Sequence, residues 1–275
     1  MKTILVPTDL SPLTHQALSV AVSLARQNQA EILLLHSVLY PLPEPVYAET
    51  LTTTTERTVA IYEDLEQEAH SMLKCFANNP AYAGVAIIPT LIRNGQELVA
   101  AITDWSADLI IMASMGASGH EEWLVGSTAE AVVRYAHCPV LVVKNPVADF
   151  QPETIVCAID VDDRLMMMQH YPFQVGEQGL HQFLFVTTPS DKRDPEAVRD
   201  WVNAFARVKG ILKFDFIIRP AKTVPQGIIR YADDVQADLV VLFTHGRKGL
   251  AHLLSGSVAE DVLHHAQMPV LIMRL

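Results

Sequence analysis

Two stretches of the 275-residue sequence have the composition needed to hold an anion. In the first, Ala113-Ser114-Met115-Gly116 ends a short apolar run, and nine residues separate Gly116 from the pair Gly126-Ser127. In the second, Phe243-Thr244-His245-Gly246 is followed at the same spacing of nine residues by Gly256-Ser257. A glycine-bearing loop that opens onto a helix N-terminus offers free backbone N–H groups and the positive end of a helix dipole, which is what a phosphate group requires. An aspartate closes another apolar run in each half, Asp9 after Pro7-Thr8 and Asp160 after Ala158-Ile159. Such a carboxylate can accept from ribose hydroxyls, or it can serve as a turn residue for the N–H groups around Ser11.

The elements that must position these groups follow from periodicity. Ile4–Val6, Ile32–Val38, Val85–Ile92, Leu109–Ala113 and Val140–Val143 are near-continuous apolar runs of strand length, the pattern of strands buried on both faces. Between them, Ser11–Gln27, Glu56–Ala77, Gln96–Ser106 and Thr128–Ala136 read as helices, with Pro12 in the first turn of the first. The second half offers strands at Thr154–Ile159, Phe183–Thr187, Lys213–Ile218, Leu239–Phe243 and Val270–Met273. Its first helix is interrupted, because Pro172, Gly176 and Gly179 prevent a regular helix beyond Tyr171. Strand and helix alternate throughout, so each half is expected to be α/β with a parallel sheet. Ligands of such sheets sit beyond the carboxyl ends of the strands, where Asp9 and the Gly116 loop are placed.

The halves are related. Ala107-Asp108-Leu109, Gly126-Ser127 and Pro139-Val140-Leu141 recur 130 positions on as Ala237-Asp238-Leu239, Gly256-Ser257 and Pro269-Val270-Leu271, while Asp9 recurs 151 positions on as Asp160. The first half therefore carries 21 extra residues, placed near Pro41, Pro43, Pro45 and the run Thr52–Thr55. At roughly 150 residues per domain, two domains are expected, 1–147 and 152–275, separated by the polar stretch around Asn145–Pro152.

Composition narrows the functional classes. A formal charge of −11 opposes a nucleic-acid backbone, so no nucleic-acid partner is expected. Cys75, Cys138 and Cys157 lie far apart without metal-ligand spacing and read as three packed thiols in a reducing, cytoplasmic setting. No run supplies the ~18 apolar residues of a membrane helix, so no membrane partner is expected. Met166-Met167-Met168 reads as gap-filling core or a loose helix rather than a metal site, and His264-His265, adjacent on a helix, point about 100° apart and do not easily chelate one ion.

At the glycine loops the chain resembles the universal stress protein family, in a tandem arrangement. That family ends strand one in an aspartate and follows strand four with G-x-x-G-x9-G-[S/T], which Gly116, Gly126 and Ser127 match in one half and Gly246, Gly256 and Ser257 in the other. The resemblance runs from Ile4-Leu5-Val6-Pro7-Thr8-Asp9 to Met268-Pro269-Val270-Leu271-Ile272. It implies two open five-stranded sheets of order 3-2-1-4-5 flanked by helices, with a Rossmann-like, adenine nucleotide alpha hydrolase-like fold, paired through their fifth strands. The unpaired apolar edges at Val140 and Val270 agree, with antiparallel contact expected at Leu141, Val143, Leu271 and Met273.

By resemblance, ATP with Mg²⁺ would place its adenine near Val38 and Pro7, its ribose near Asp9, and its phosphates on the Gly116 loop and at Gly126, Ser127, Thr128 and Ala129, with Thr8, Met112, Ala113 and Met115 also in the site. A weaker counterpart would use Asp160, His245, Gly246, Gly256, Ser257 and Val258. The first motif glycine is replaced by Ala113 and by Phe243, so the first site keeps room but lacks cations, while the second keeps Arg247 and Lys248 but is expected to lose room to the phenyl ring. The motifs G-x-S-x-G, G-x-x-x-x-G-K-[ST] and H-E-x-x-H do not occur. The expectation is a stress-response signalling module that binds ATP and works through a protein partner, with at most very slow ATP hydrolysis. The alternatives are a nucleotide-free scaffold and a weak ATP-hydrolysing enzyme, and a homodimer of the whole chain is compatible with each.

Overall fold

The computed structural model describes residues 1–40, 51–93, 98–114, 125–168, 175–176, 178–244 and 258–274, with backbone alone at 51–57 and 103–104. The apolar runs become β1 (Thr3–Pro7), β2 (Glu31–Ser37), β3 (Ile87–Ile92), β4 (Leu109–Ala113) and β5 (Val140–Val143), then β6 (Thr154–Ala158), β7 (Leu180–Thr187), β8 (Phe214–Pro220), β9 (Leu239–Thr244) and β10 (Val270–Arg274). They lie in the order β3-β2-β1-β4-β5-β10-β9-β6-β7-β8, so each half shows the 3-2-1-4-5 order. The two expected sheets are in fact one ten-stranded sheet, because the apolar edges of β5 and β10 satisfy each other's backbone groups.

This seam is antiparallel and pairs Val142 with Val270, Leu141 with Leu271 and Val140 with Ile272, whereas the other neighbouring strands run parallel. Leu141 and Leu271 thus face each other as expected. Val143 and Met273 do not: the register carries them one step past the paired residues, although both remain buried on the same face.

Helices α1 (Thr14–Asn28), α2 (Leu51–Ala77), α3 (Leu98–Asp104) and α4 (Ser127–Tyr135) belong to the first half, and α5 (Arg164–Met167), α6 (Pro195–Lys209), α7 (Val224–Asp234) and α8 (Val258–His265) to the second. Period-2 alternation sends Ile4 and Val6 to one sheet face with Ala17, Leu18 and Leu24 of α1, and Leu5 to the other with Ala129 and Val132 of α4. Both cores continue across the seam, one to Phe183 and Phe205 and the other to Ile228 and Val262. Helix α7 approaches β7 closely through Gly227, where an added Cβ would lie 2.5 Å from Val186 Cγ1.

Several expectations shift by a turn. Helix α1 begins at Thr14, after a tight turn in which Thr14, His15 and Gln16 donate to the carbonyls of Ser11, Pro12 and Leu13, so Pro12 precedes the helix. Helix α5 is four residues long and stops at Met167, earlier than Tyr171. Lys209 Nζ closes its end by donating to the carbonyls of Met166 and Met168. Met166 and Met168 pack against the core, but Met167 is 80% exposed. Cys75 is exposed on α2 between the buried Leu73 and Phe76, contrary to the expectation of three packed thiols; Cys157 is buried, and burial pushes the Cys138 thiol up to about 12.

The recurring Ala-Asp-Leu segments have a common task. Asp108 Oδ2 accepts from the N–H groups of Lys2 and Thr3 at 2.5 and 3.1 Å, and Asp238 Oδ2 accepts from Glu153 and Thr154 at 3.0 and 2.9 Å. Each aspartate ties the start of the first strand of its half to the turn before the fourth. Burial alone would raise the Asp108 pKa, but the two N–H donors and the nearby N-terminus and Lys2 outweigh it and lower it. Its folded pKa is therefore below the unfolded value, so its contribution is present above the ordinary carboxylate range and is lost as the pH falls through the folded pKa. Asp108→Asn is expected to cost about 1 kcal/mol at neutral pH, with a wild-type advantage in urea unfolding that shrinks below about pH 4.

The seam is also closed by reciprocal cationic caps. Lys144 Nζ donates to the His264 carbonyl in the last turn of α8 at 2.7 Å, and Arg274 Nη1 donates to the Ala136 carbonyl after α4 at 3.3 Å. Burial lowers the Lys144 pKa from 10.5 to about 8. Because the folded value lies below the unfolded one, the unfolded chain holds the extra proton between these values, and stability from this residue rises with pH across that window. The stability difference between wild type and Lys144→Met is expected to move in favour of wild type from pH 8 to pH 10; a flat difference would show a fully hydrated amine.

Candidate functional site

Beyond the carboxyl ends of β1 and β4 lies a crevice of about 240 Å³. One wall is the turn from β1 into α1. The Thr8 hydroxyl accepts from Leu10 N–H at 2.8 Å and lies 2.5 Å from the Thr14 hydroxyl, while Asp9 Oδ1 accepts from Ser11 N–H at 3.0 Å. Asp9 thus performs the turn role that the sequence allowed, and its exposed carboxylate still lines the crevice. Leu10 takes φ 65°, a left-handed conformation costly for a branched residue, and it is what folds Ser11 back under the crevice. Ser11 is 7% exposed, and its hydroxyl has no hydrogen-bond partner among the described residues.

The opposite wall is the end of β4 and the start of α4. Ser114 N–H donates to the Val143 carbonyl at 2.9 Å, and the Ser114 carbonyl accepts from Gly126 N–H at 2.7 Å, which returns the chain to the sheet edge just before the helix. Gly126 caps α4 in extended conformation and contributes no side-chain bond. The N–H groups of Ser127, Thr128 and Ala129 therefore begin the helix without intrahelical acceptors, and these three residues line the crevice. Neither Lys nor Arg lines it among the described residues, so an anion here would be held by backbone and hydroxyl groups.

Of the sequence candidates, Pro7, Thr8, Asp9, Met112, Ala113, Gly126, Ser127, Thr128 and Ala129 come together in this crevice, and Ser11, Thr14, Leu98 and Ser114 join them. Val38 does not line it: its N–H donates to the Ile92 carbonyl at 3.0 Å and its side chain is buried. Beyond Val38, the Tyr40 hydroxyl lies 2.5 Å from both Glu66 Oε1 and the Arg93 carbonyl, and burial followed by Glu66 pushes its pKa up to about 12. Met115, Gly116, His245, Gly246, Gly256 and Ser257 lie outside the described residues, as do Arg247 and Lys248.

The second half has its own crevice, of about 310 Å³, lined by Asp160, Phe243 and Val258. Phe243 lines this crevice without closing it and packs against the core that includes Phe185. What occupies its mouth was not legible in the sequence. Arg193 bonds Asp160 Oδ1 and, at 2.7 Å, Asp191 Oδ2, and its guanidinium sits 4.5 Å from the Phe185 ring centroid. Arg193 holds the Asp191 carboxyl down to about 2. The aspartate equivalent to Asp9 is thus already engaged by a cation from the β7–α6 connection.

A profile of the universal stress protein family matches residues 1–144 and 196–274. The chain belongs to that family. A universal stress protein of Methanocaldococcus jannaschii is 32% identical over 151 residues, 53% of this chain and 83% of that protein. One of Bacillus subtilis is 29% identical over 153 residues, 51% of this chain and 97% of that protein. Among solved structures, a universal stress protein from Archaeoglobus fulgidus superposes with a TM-score of 0.67 at 18% identity, covering 99% of this chain and 98% of its own. A functionally unknown Pseudomonas aeruginosa protein superposes with a TM-score of 0.62 at 17% identity, covering 100% and 92%. At these identities the superpositions establish the universal stress protein fold across both halves. No described helix is long and apolar enough to cross a membrane.

Proposed function

We propose that this universal stress protein is a stress-response regulatory module that binds an adenine nucleotide, ATP with Mg²⁺, in the first-half crevice. The observation that carries the reading is the convergence on one crevice of a helix start at Ser127, Thr128 and Ala129 with no side-chain cap and a buried Ser11 hydroxyl, neither with a partner among the described residues. Orphan N–H groups and an unsatisfied hydroxyl each cost folding free energy that a polyphosphate would recover. Asp9 supplies an acceptor for ribose at the mouth. The second crevice is assigned no nucleotide, because Arg193 already engages Asp160 there and an incoming ribose would have to displace it. Binding at the first crevice would change a surface that a protein partner reads.

Ser11→Ala separates this reading from a nucleotide-free scaffold. Removing the unsatisfied hydroxyl is expected to stabilise the free protein by about 1 kcal/mol, measured by urea unfolding, and to weaken ATP binding roughly five-fold, a loss of about 1 kcal/mol. Calorimetric titration with millimolar ATP and Mg²⁺ is the direct test: no heat and no thermal shift would leave the scaffold reading.

A further inference from the structure

We infer that His264, on α8 of the second half, is a positioning residue for the anion-binding turn of the first half, gripping both ends of the opening turn of α4. Its Nδ1 accepts from Val125 N–H at 3.3 Å, and its Nε2 lies 3.3 Å from Glu130 Oε1. An imidazole nitrogen that accepts from a backbone N–H carries no proton, so the ring is the tautomer with its proton on Nε2, donated to Glu130. Val125 precedes the Gly126 cap, and Glu130 stands in the first turn, its N–H donating to the Gly126 carbonyl at 3.1 Å. One side chain from the second half therefore fixes both flanks of the three free N–H groups. Gly126 N–H is held from within the first half by the Ser114 carbonyl. Val125 N–H is held from across the seam.

The clamp acts in one direction. Residue 134, the counterpart of His264 in the 130-residue repeat, is arginine, which has no acceptor atom and cannot take up a backbone N–H. This asymmetry matches the assignment of the nucleotide to the first crevice, on which the functional part of the inference rests. The charged groups around the ring are Glu130 and Arg134 of α4, Glu260 and His265 of α8, and Lys144, which donates to the His264 carbonyl. A space of about 30 Å³ between them accommodates one water.

Glu130, Glu260 and His264 also offer ligand atoms within 4.8 Å of one another. A divalent ion would need Nε2 deprotonated and Nδ1 protonated, the reverse of the tautomer that Val125 requires.

The test uses the intact chain with His264→Gln, whose carbonyl can accept from Val125 while its amide donates to Glu130, beside His264→Met, whose thioether is only a weak acceptor and cannot donate to Glu130, and His264→Arg, which has no acceptor for Val125. Amide exchange at Val125, measured without nucleotide, is expected to quicken roughly ten-fold in the Met and Arg variants and to stay near wild type in Gln. ATP affinity is expected to fall roughly five-fold in Met and Arg and to hold in Gln. Unchanged Val125 exchange in Met, equal impairment in Gln, or stoichiometric Zn²⁺ binding that depends on His264 would overturn the clamp. Normal clamp behaviour in a protein that binds no ATP would leave the clamp standing and remove the nucleotide reading.

Discussion

Thr128→Asp is expected to abolish ATP binding while leaving the protein slightly more stable. Thr128 is exposed in the first turn of α4, and its side chain lines the crevice, so the new carboxylate meets water in the free protein and meets the phosphates in the complex. At a helix N-terminus an aspartate interacts favourably with the dipole, by about 0.5 kcal/mol. A like charge within about 4 Å of a phosphate oxygen, at an effective dielectric near 20, costs about 4 kcal/mol, close to a thousand-fold in affinity. Titration calorimetry and urea unfolding on the same preparation check both signs. Weakened binding together with lost stability would point instead to a disrupted helix start. Thr128→Val, which keeps shape without charge, should retain most of the affinity, because the phosphate contacts assigned to this turn come from the backbone.

Leu141→Ala is expected to destabilise the chain by about 3 kcal/mol. Leu141 is fully buried and faces Leu271, which is 1% exposed, in a seam of three paired residues, and both contribute to the core that runs from α1 to Phe205. Truncation leaves a cavity between rigid strands whose backbone is held by hydrogen bonds on both sides, so collapse cannot fill it. Leu271→Ala should cost a similar amount. The double variant should cost less than the two combined, since the residues touch and the cavities merge. The drop in denaturation midpoint, with an unchanged slope, reads this. A loss below 1 kcal/mol would show that the halves are held mainly by the reciprocal caps of Lys144 and Arg274.

Much of the architecture was legible because it depends on local pattern. Near-continuous apolar runs located the strands to within a few residues, and the constant separation of 130 positions assigned the two fourth strands and the two fifth strands the same places in each half. The repeated Ala-Asp-Leu segments looked like motif and proved to be scaffold, each aspartate pinning the start of the first strand of its half. The failures concern contacts between residues distant in sequence. Arg193 lies 33 residues from Asp160, in a connection whose composition announces only a turn, and nothing local shows that it bends back over Phe185. Phe243 was expected to take room from the second crevice, by occupying it or swinging out; it packs against the core and lines a crevice that stays open beside it, an outcome set by register rather than by local composition. His264 was read beside His265 on its own helix. Its partners, Glu130 and Val125, become neighbours only when β5 and β10 pair.

At the site, residue type marked Thr8, Asp9 and the Gly126 turn, because glycine before a helix and a carboxylate after a strand are informative alone. Ser11 and Ser114 were missed. Their role arises from the left-handed turn at Leu10 and from the Ser114 carbonyl reaching Gly126, and neither is written in local composition. Val38 was carried over from the family pattern; it lies just past the end of β2 with a buried side chain and is not among the residues that line the crevice.

The most direct test is the stoichiometry of ATP–Mg²⁺ binding to the intact chain at equilibrium, read by calorimetry beside Thr128→Asp and an Asp160→Ala variant. The expected result is one nucleotide per chain, lost in Thr128→Asp and retained in Asp160→Ala. Two nucleotides per chain, or one that disappears only with Asp160→Ala, would contradict the assignment to the first crevice, and no binding at millimolar nucleotide would contradict the proposed function itself.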